Sequence, residues 1–347
     1  MLNSFKRLIY ANILPETLFS DRTDLEEVKR LFSNHVRSVE IENHSFCNRT
    51  CWFCPNSFID RRTENTLLKP SIFKKIIKNL EEINYDQTLI WSRYHEPLAF
   101  ESIFENITYA RKKLKNSFFY LISNGDYLKP DTLSKLHLAG LDMLQISLYL
   151  PHGEQYNDEN ILKAVDRLKR KSNYDISNIK QEDINNRQFC FKNAPLKTII
   201  NCHNFSSETI ISTRGGSIFD GDKKNYHRTS ACFSPIHKVT IDFNGIGILC
   251  CHTRSDNNDS KDAIIGDLSV EDYNLFHFYR DLAPKRIALI KSGKKEGVCK
   301  TCKQELGGPH LLGRNKFMTK IIYKTGLNKN VFNYFLKKRK NKRLFQN

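Results

Sequence analysis

Apolar runs of strand length alternate with amphipathic helical segments from residue 37 onward. Short apolar runs bounded by turn residues are typical of strands, while apolar residues spaced three and four apart indicate helices. The predicted strands are 37–43, 88–92, 117–123 and 142–150, with candidate later strands at 196–202 and 208–214. The predicted helices are 70–83, 101–114, 129–140 and 159–171, and the polar, Asn-rich residues 172–196 are predicted to be a loop or insertion. Successive βα units imply an α/β fold with a parallel sheet, whose functional residues lie at the carboxyl ends of the strands.

After residue 231 the pattern changes to that of a small α+β module. Residues 237–251 predict two short strands around Asn244-Gly245, a favoured hairpin turn, and a helix is expected around 269–282. We therefore divide the chain into four parts. These are an N-terminal extension (1–36), an α/β body (37–230), a cysteine-bearing module (231–310) and a basic C-terminal tail (311–347).

The net charge of +17 is concentrated at one end of the 347-residue chain. Residues 311–347 hold eleven Lys and Arg and no Asp or Glu. Such a tail suits an anionic membrane surface, an acidic substrate or RNA, and equally a solvated, disordered segment. No apolar run approaches the length of a membrane span, and the N-terminus lacks the pattern of a secretory signal. We therefore expect a cytoplasmic protein without a transmembrane segment.

Three cysteines, Cys47, Cys51 and Cys54, form a C-x3-C-x2-C run directly after the first predicted strand. Ten cysteines in a long chain without a secretory signal favour metal or redox chemistry over a disulfide framework. Three thiolates on one loop can hold three irons of a 4Fe–4S cube and leave the fourth iron open to a small molecule. The alternative is a zinc site that pairs Cys51 and Cys54 with Cys299 and Cys302, which leaves Cys47 unexplained.

This cysteine run resembles the signature of the radical S-adenosylmethionine (radical SAM) superfamily, which has an aromatic residue, here Phe53, before the last cysteine. The resemblance implies that the three cysteines bind a 4Fe–4S cluster whose open iron holds SAM. It also implies a 5′-deoxyadenosyl radical that abstracts hydrogen from a substrate carbon. The implied fold is a partial (β/α)6 radical SAM barrel.

Further landmarks of the family follow in order at the ends of the predicted strands. Residues 94–97, Tyr-His-Glu-Pro, match the family's Gly-Gly-Glu-Pro, so the resemblance assigns Glu96 to the SAM ammonium group. The two glycines are absent, which departs from the family pattern. Ser123 and Asn124 match a Thr-Asn-Gly motif, and Ser147 matches a serine near the SAM methionyl or ribose groups. Taken singly, Glu96 could instead cap a helix and Ser147 could be a core serine.

A second set of cysteines, Cys232, Cys250, Cys299 and Cys302, resembles the SPASM/twitch auxiliary-cluster domain that follows many radical SAM barrels. A hairpin would bring the first two together, and the later CxxC loop would complete four thiolates. Because no cysteine follows Cys302, the resemblance implies one auxiliary 4Fe–4S cluster, fully ligated by protein. Cys251 is an alternative to Cys250, since adjacent residues on a strand point in opposite directions. A structural four-cysteine zinc site is the other interpretation.

Four further residues have open interpretations. Cys202, at the end of a predicted strand, is a candidate hydrogen-atom donor to a substrate radical or a small buried hydrophobe. Cys190 has no assignment, and His203 is a base or a structural histidine. Arg214, in a Thr-Arg-Gly-Gly loop, is a candidate contact for the SAM carboxylate or an acidic substrate, or else a surface arginine.

The combined prediction is a radical SAM oxidoreductase with SAM, a first 4Fe–4S cluster and one auxiliary cluster. The first substrate hypothesis is a ribosomally made peptide, modified by epimerisation, oxidation or crosslinking. A carbohydrate-like alcohol and an RNA are the enzymatic alternatives, and a structural iron–sulfur or zinc protein is the non-enzymatic one. A one-electron reductant such as flavodoxin or ferredoxin is the expected partner, together with an anionic membrane surface or acidic partner for the tail.

Overall fold

The computed structural model describes residues 14–63, 65–179, 185–205, 214, 218, 226–290 and 293–302. The basic tail at 311–347 therefore lies outside the described residues, as does all of the candidate strand at 208–214 except Arg214. No helix in these ranges is long and apolar enough to cross a membrane. The cytoplasmic location stays a prediction.

Eight helices lie in the described part of the chain. They are α1 (Leu25–His35), α2 (Pro70–Glu82), α3 (Ser102–Lys113), α4 (Thr132–Ala139), α5 (Asp158–Ser172), α6 (Ser234–His237), α7 (Leu275–Asp281) and α8 (Ala283–Ile290). Local chemistry sets several of their ends. The Asp24 carboxylate accepts a hydrogen bond from the Glu27 amide and so caps α1, while Gly140 ends α4 in the left-handed conformation. The predicted helices at 70–83, 101–114, 129–140 and 159–171 are confirmed.

Ten strands of the described residues form one sheet. They are β1 (Ser38–Ile41), β2 (Thr88–Trp91), β3 (Phe118–Ser123), β4 (Met143–Ser147), β5 (Ile176–Asn178), β6 (Asn186–Phe191), β7 (Lys197–His203), β8 (Lys238–Ile241), β9 (Ile246–Ile248) and β10 (Ile264–Asp267). Their order across the sheet is β10-β9-β8-β1-β2-β3-β4-β7-β6-β5. The strands from β8 to β7 in that order are parallel, and each edge ends in antiparallel strands. The α/β prediction with a parallel sheet is confirmed.

Two features of the sheet correct the expectations from sequence. Residues 172–196 are not simply a loop, because they contain β5 and β6, which extend the sheet beside β7. Their polar pattern is compatible with a half-exposed edge, where side chains need not be apolar. The hairpin of β8 and β9 is confirmed, but β8 pairs in parallel with β1. The cysteine-bearing hairpin therefore continues the sheet of the α/β body.

The two faces of the sheet differ in polarity. Alternate residues such as Val39, Leu121 and Ile200 have no exposed surface and share a core with buried helix residues. The opposite face, which we call the polar face, carries polar side chains, of which four are half-buried and two buried: Glu40, Tyr120, Gln145, Ser147, Asn201 and Lys238. Of these residues, Ser147 lies at the carboxyl end of its strand, the end from which the first cysteine loop leaves β1, whereas Lys238 begins β8.

Lys75 links α2 by hydrogen bonds to the segment 268–273. Its ammonium donates to four backbone carbonyls at 2.7–3.2 Å, those of Leu268, Val270, Glu271 and Tyr273. We expect Lys75→Met to lower the free energy of unfolding by about 1–3 kcal/mol, because these carbonyls lose their charged donor. Urea unfolding with Lys78→Met, an exposed lysine of the same helix, as control measures this difference. Equal stability of the two variants would contradict the assignment.

Candidate active site

The cysteine loop, residues 47–61, leaves the carboxyl end of β1. The Cys54 amide donates to the Cys51 carbonyl at 2.9 Å, and the Ser57 amide donates to the Cys54 carbonyl at 2.9 Å. A short 3₁₀ turn, Pro55–Ser57, follows. The Cys47 amide donates to the Arg61 carbonyl at 3.4 Å, so the loop closes on itself. All three cysteines are half-buried free thiols.

Burial disfavours ionisation of the three thiols and raises their pKa values. Burial raises the pKa of Cys47 to about 12, and negative charge on Glu96, Cys54 and Cys51 adds to the effect. Burial also raises the pKa of Cys51 to about 11, again with a contribution from Cys54. The thiols therefore lie near one another in a poorly solvated site, where thiolates need a cationic partner such as iron.

Among the described residues, no three His, Cys, Asp or Glu side chains are grouped to hold a metal ion. The thiolates of a 4Fe–4S cube bind separate irons. Cluster ligands therefore need not converge on one point as the ligands of a single ion do.

Glu96 lies beside this loop, with 1% of its surface exposed. Its carboxylate accepts hydrogen bonds from Ser123 Oγ at 2.6 Å, from the Asn124 amide at 2.7 Å and from the Leu98 amide at 3.1 Å. Burial raises the pKa of Glu96 to about 7, although these hydrogen bonds oppose the shift. The structure thus brings together three residues predicted at the ends of different strands, Glu96, Ser123 and Asn124.

The turn after β3 also binds the cysteine loop through hydrogen bonds. This contact was not predicted from the sequence. Arg49 forms two hydrogen bonds to Asp126, at 2.6 and 2.7 Å, and Asn48 donates to the same carboxylate at 2.7 Å. Asn124 donates to Asn48 at 2.9 Å. The turn needs glycine at Gly125, whose φ is +79° and whose Cβ would meet Ile146 at 3.0 Å. Asp126, directly after the Ser-Asn-Gly motif, was the available sequence signal.

An aromatic group covers the end of the cysteine loop. Phe53 is buried and stacks on Phe205, with ring centroids 3.7 Å apart and an interplanar angle of 10°. Tyr149 follows β4, and its ring centroid lies 5.1 Å from that of Phe53. Ser147 is buried on the polar face two residues earlier. The rings of Phe53, Phe205 and Tyr149 form an aromatic wall beside the three thiols.

Arg214 lies between the two groups of cysteines. Its Nη1 is 3.3 Å from His252 Nδ1, and its backbone has a φ of +47°, unusual for a residue other than glycine. Nearby negative charge on Tyr94, Cys54 and Cys251 raises the pKa of Arg214, whereas burial opposes that shift. The role of Arg214 as a contact for the SAM carboxylate or an acidic substrate stays a prediction.

The four cysteines of the second set surround one cavity. Its lining contains the thiol-bearing residues Cys232, Cys250, Cys299 and Cys302 together with Arg228 and His252. Burial raises the pKa of Cys250, with further contributions from Cys251, Cys299 and Cys232. The adjacent Cys251 does not line the cavity, and its charged neighbours include Glu40 and Lys238. Of the two adjacent cysteines, Cys250 alone lines this cavity.

Cys202 and Cys190 lie away from both groups. Cys202 is fully buried with Phe189 and Ile200 on the helix-covered face of the sheet, where burial raises its thiol pKa to about 11. That face is opposite to Ser147 and Asn201, so the candidate hydrogen donor has the position of a core residue. Cys190 lies 3.2 Å from Ser177 Oγ. His203 is exposed at the end of β7.

The raised pKa of Glu96 predicts a pH dependence of SAM binding. Protonated Glu96 cannot balance an ammonium charge, so we expect SAM affinity to fall about tenfold per pH unit below pH about 7 and to level off above it. Calorimetric titration of the anaerobically loaded protein with SAM between about pH 6 and 8 measures the slope. Glu96→Gln should bind weakly at every pH, whereas Glu101→Gln, which alters an exposed carboxylate nearby, should keep the slope. A pH-independent affinity in the unchanged protein would refute the role of Glu96.

A family model matches the part of the chain that holds this site. Residues 44–179 match the model of the Radical SAM superfamily. The S-adenosyl-L-methionine-dependent 2-deoxy-scyllo-inosamine dehydrogenase of Niallia circulans is 28% identical over 103 residues, which are 30% of this chain and 41% of the relative. The chain thus spans less than half the length of that curated relative. The matched family residues include the cysteine loop, Glu96 and Ser147.

A solved structure shares the fold. The crystal structure of BtrN in complex with AdoMet and 2-DOIA superimposes with a TM-score of 0.53 at 19% identity, covering 78% of this chain and 93% of that chain. Streptococcus suis SuiB bound to S-adenosylmethionine covers 84% of this chain and 75% of its own at 14% identity, with a TM-score of 0.43. Residues 44–179 therefore resemble a radical SAM domain, as predicted. A radical SAM enzyme stays a proposal for the whole chain. The predicted SPASM/twitch module stays a prediction.

Proposed function

We propose that this protein is a SAM-dependent oxidoreductase with two iron–sulfur clusters, which oxidises a carbohydrate-like alcohol. The observation that carries the proposal is the group of four cysteines around one cavity, in the same sheet as the radical SAM loop. A fully ligated cluster in that cavity would have no open iron for a substrate, and it would supply an acceptor for one electron. Loss of an electron is what a dehydrogenation requires after hydrogen abstraction.

The residues of the first site have distinct proposed roles. Cys47, Cys51 and Cys54 would hold a 4Fe–4S cluster, and Glu96 would accept the SAM ammonium group. Arg214 is the proposed contact for the SAM carboxylate. With SAM and its cluster bound, the site would supply a 5′-deoxyadenosyl radical for hydrogen abstraction. The aromatic wall around Phe53 would keep water from that radical.

The polar face is the proposed contact surface for the substrate. Glu40, Gln145 and Asn201 carry hydrogen-bond acceptors, which already accept from the side chains of Ser92, Tyr120 and Gln188 respectively, and Lys238 carries a charged donor. Such a mixture suits a substrate with several hydroxyl or amino groups, as in a carbohydrate-like alcohol. The matched relative is a dehydrogenase of such an alcohol by its name, which also favours this substrate class over the peptide preferred from sequence. An RNA substrate would require the basic tail at 311–347 as its binding surface.

The proposal is tested by supplying candidate substrates to the anaerobically loaded protein with dithionite and SAM. We expect 2-deoxy-scyllo-inosamine or a related aminocyclitol to increase 5′-deoxyadenosine release and to yield a product lacking two hydrogens. Deuterium at the reacting carbon should appear in 5′-deoxyadenosine. Stimulation by short peptides alone would overturn the alcohol assignment and favour peptide modification. Stoichiometric zinc without iron in the purified protein would overturn the enzyme mechanism itself.

A further inference from the structure

A largely buried group of charges, with Asp256 at its partly exposed edge, joins the cysteine loop to the segment that follows Cys250 and Cys251. We call it the linking network, and it consists of Glu42, Arg61, Arg93, Asp242, Arg254 and Asp256. The side chains of Glu42 and Asp242 have no exposed surface, and that of Arg254 is 1% exposed. None of these six residues belongs to the proposed ligand sets. Their contacts nevertheless connect the two sites.

Arg254 makes the most direct connection. Its Nη1 donates to Asn56 Oδ1 at 2.8 Å, and Asn56 lies two residues beyond Cys54 in the cysteine loop. Asn56 in turn donates to the Tyr94 carbonyl at 2.9 Å. The other side of the Arg254 guanidinium forms two hydrogen bonds of 2.7 Å to Asp256. The Arg254 guanidinium thus connects the cysteine loop to the segment that follows Cys250 and Cys251.

Arg61 makes a second connection from within the cysteine loop. Its carbonyl accepts the Cys47 amide hydrogen bond described above, so its backbone holds one proposed ligand residue. Its side chain contacts Glu42 at 3.2 Å and Asp256 at 3.1 Å. Although burial acts in the opposite direction, Arg254 and Arg61 lower the pKa of Asp256 to about 2. Asp256 is therefore an anion shared by two arginines from different parts of the chain.

A third connection explains the departure from the family's Gly-Gly-Glu-Pro motif. Tyr94, which replaces the first glycine, is buried, and its hydroxyl donates to the Cys251 carbonyl at 3.1 Å. The guanidinium groups of Arg93 and Arg254 lie 5.0 and 5.4 Å from its ring centroid. Arg93 has a φ of +98° and binds Asp242 and the Thr253 carbonyl. A strained backbone is retained where its surroundings over-determine it.

We propose that Arg254, Asp256 and Tyr94 are positioning residues. They hold the cysteine loop in place against the segment after Cys250, so that the two proposed iron sites form one coupled unit. This inference rests on the proposed function, because it assumes a cluster at each site. Buried ion pairs are costly compared with apolar packing, but their bonds are directional. A directional link is suited to holding three thiols in the geometry that a cluster and SAM require. Partners that orient metal ligands affect metal affinity or activity by about 10- to 100-fold.

The test compares Asp256→Asn with Asp60→Asn in the full-length, anaerobically loaded protein. Asp60 lies in the cysteine loop and pairs with Arg62 just beyond it, and both side chains are exposed. We expect Asp256→Asn to bind SAM about tenfold more weakly and to alter the EPR spectrum of the reduced first cluster. Iron at the second site should be retained. Asp60→Asn should match the unchanged protein in all three measurements.

Two further variants keep the test decisive if Asp256→Asn is poorly folded. Tyr94→Phe removes only the hydroxyl contact to the Cys251 carbonyl. Arg254→Lys keeps the positive charge but loses the bidentate hydrogen bonds to Asp256. Both are expected to alter the EPR spectrum, with a smaller loss of SAM affinity than Asp256→Asn. Spectra and SAM affinities identical to those of the unchanged protein in all three variants would overturn the coupling. Absence of two clusters in the unchanged protein would instead overturn the proposed function.

Discussion

Replacing Cys54 with alanine is expected to abolish SAM cleavage. The change removes one of three thiolates proposed for the first cluster, and two thiolates cannot hold a cube that also binds SAM. Iron should fall from about eight to about four per chain, since the second set of cysteines is intact. Release of 5′-deoxyadenosine after dithionite reduction should fall to the level of a protein-free reaction. Iron and sulfide analysis with chromatography of the nucleoside products measures both effects.

Cys202→Ala is the matched control for this experiment. It removes a buried thiol from the helix-covered face of the sheet, away from both groups of cysteines. We expect unchanged iron content and unchanged 5′-deoxyadenosine release. Full release by Cys54→Ala would contradict the first-cluster assignment. If Cys202→Ala kept its iron and SAM cleavage but lost product formation, the hydrogen-donor hypothesis for Cys202 would be favoured over its position in the core.

The second large effect is expected at two adjacent cysteines. Cys250→Ala should lose about four irons while keeping the first cluster, because Cys250 lines the cavity that the other three cysteines share. Substrate oxidation should be lost, and 5′-deoxyadenosine should still be released, at a rate reduced by the proposed coupling. Iron analysis and EPR spectroscopy of the reduced protein distinguish the two clusters.

Cys251→Ala provides the control at the neighbouring position. Its thiol is also buried, but it lies toward Lys238 and Glu40 instead of the cavity. It should keep the full iron content. Loss of iron in Cys251→Ala, with none in Cys250→Ala, would reverse the ligand assignment. Zinc in place of iron at this site would favour the structural interpretation of the second cysteine group.

Much of the candidate site was predictable because its residues follow strands directly. Glu96 and Asn124 come just after β2 and β3, and the carboxyl ends of parallel strands meet at one edge of a sheet. Once the strands were recognised from their apolar runs, the nearness of these residues followed. The hairpin at Asn244-Gly245 was predictable for the same reason, since its signal lies within a few residues.

The contacts that escaped prediction join residues far apart in the chain. Arg61 and Asp256 are separated by 195 positions, and no local pattern predicts that Arg61 is buried or that the two side chains meet. Tyr94 was recognised as a departure from the family motif, but its contact with Cys251 depends on β8 pairing with β1. Residues 172–196 were predicted to be a loop because an edge strand with polar side chains lacks the apolar signal of a buried strand.

The sequence by itself determined the alternation of strands and helices, the two sets of cysteines and the acidic residue beside the first set. These depend on periodicity and on chemically distinctive residues at short spacing. Only the tertiary structure decided which of Cys250 and Cys251 faces the shared cavity and that Cys202 lies in the core. It also decided that buried arginines connect the two cysteine groups. Side-chain direction and burial depend on which strands become neighbours, and that pairing is settled by packing over the whole chain.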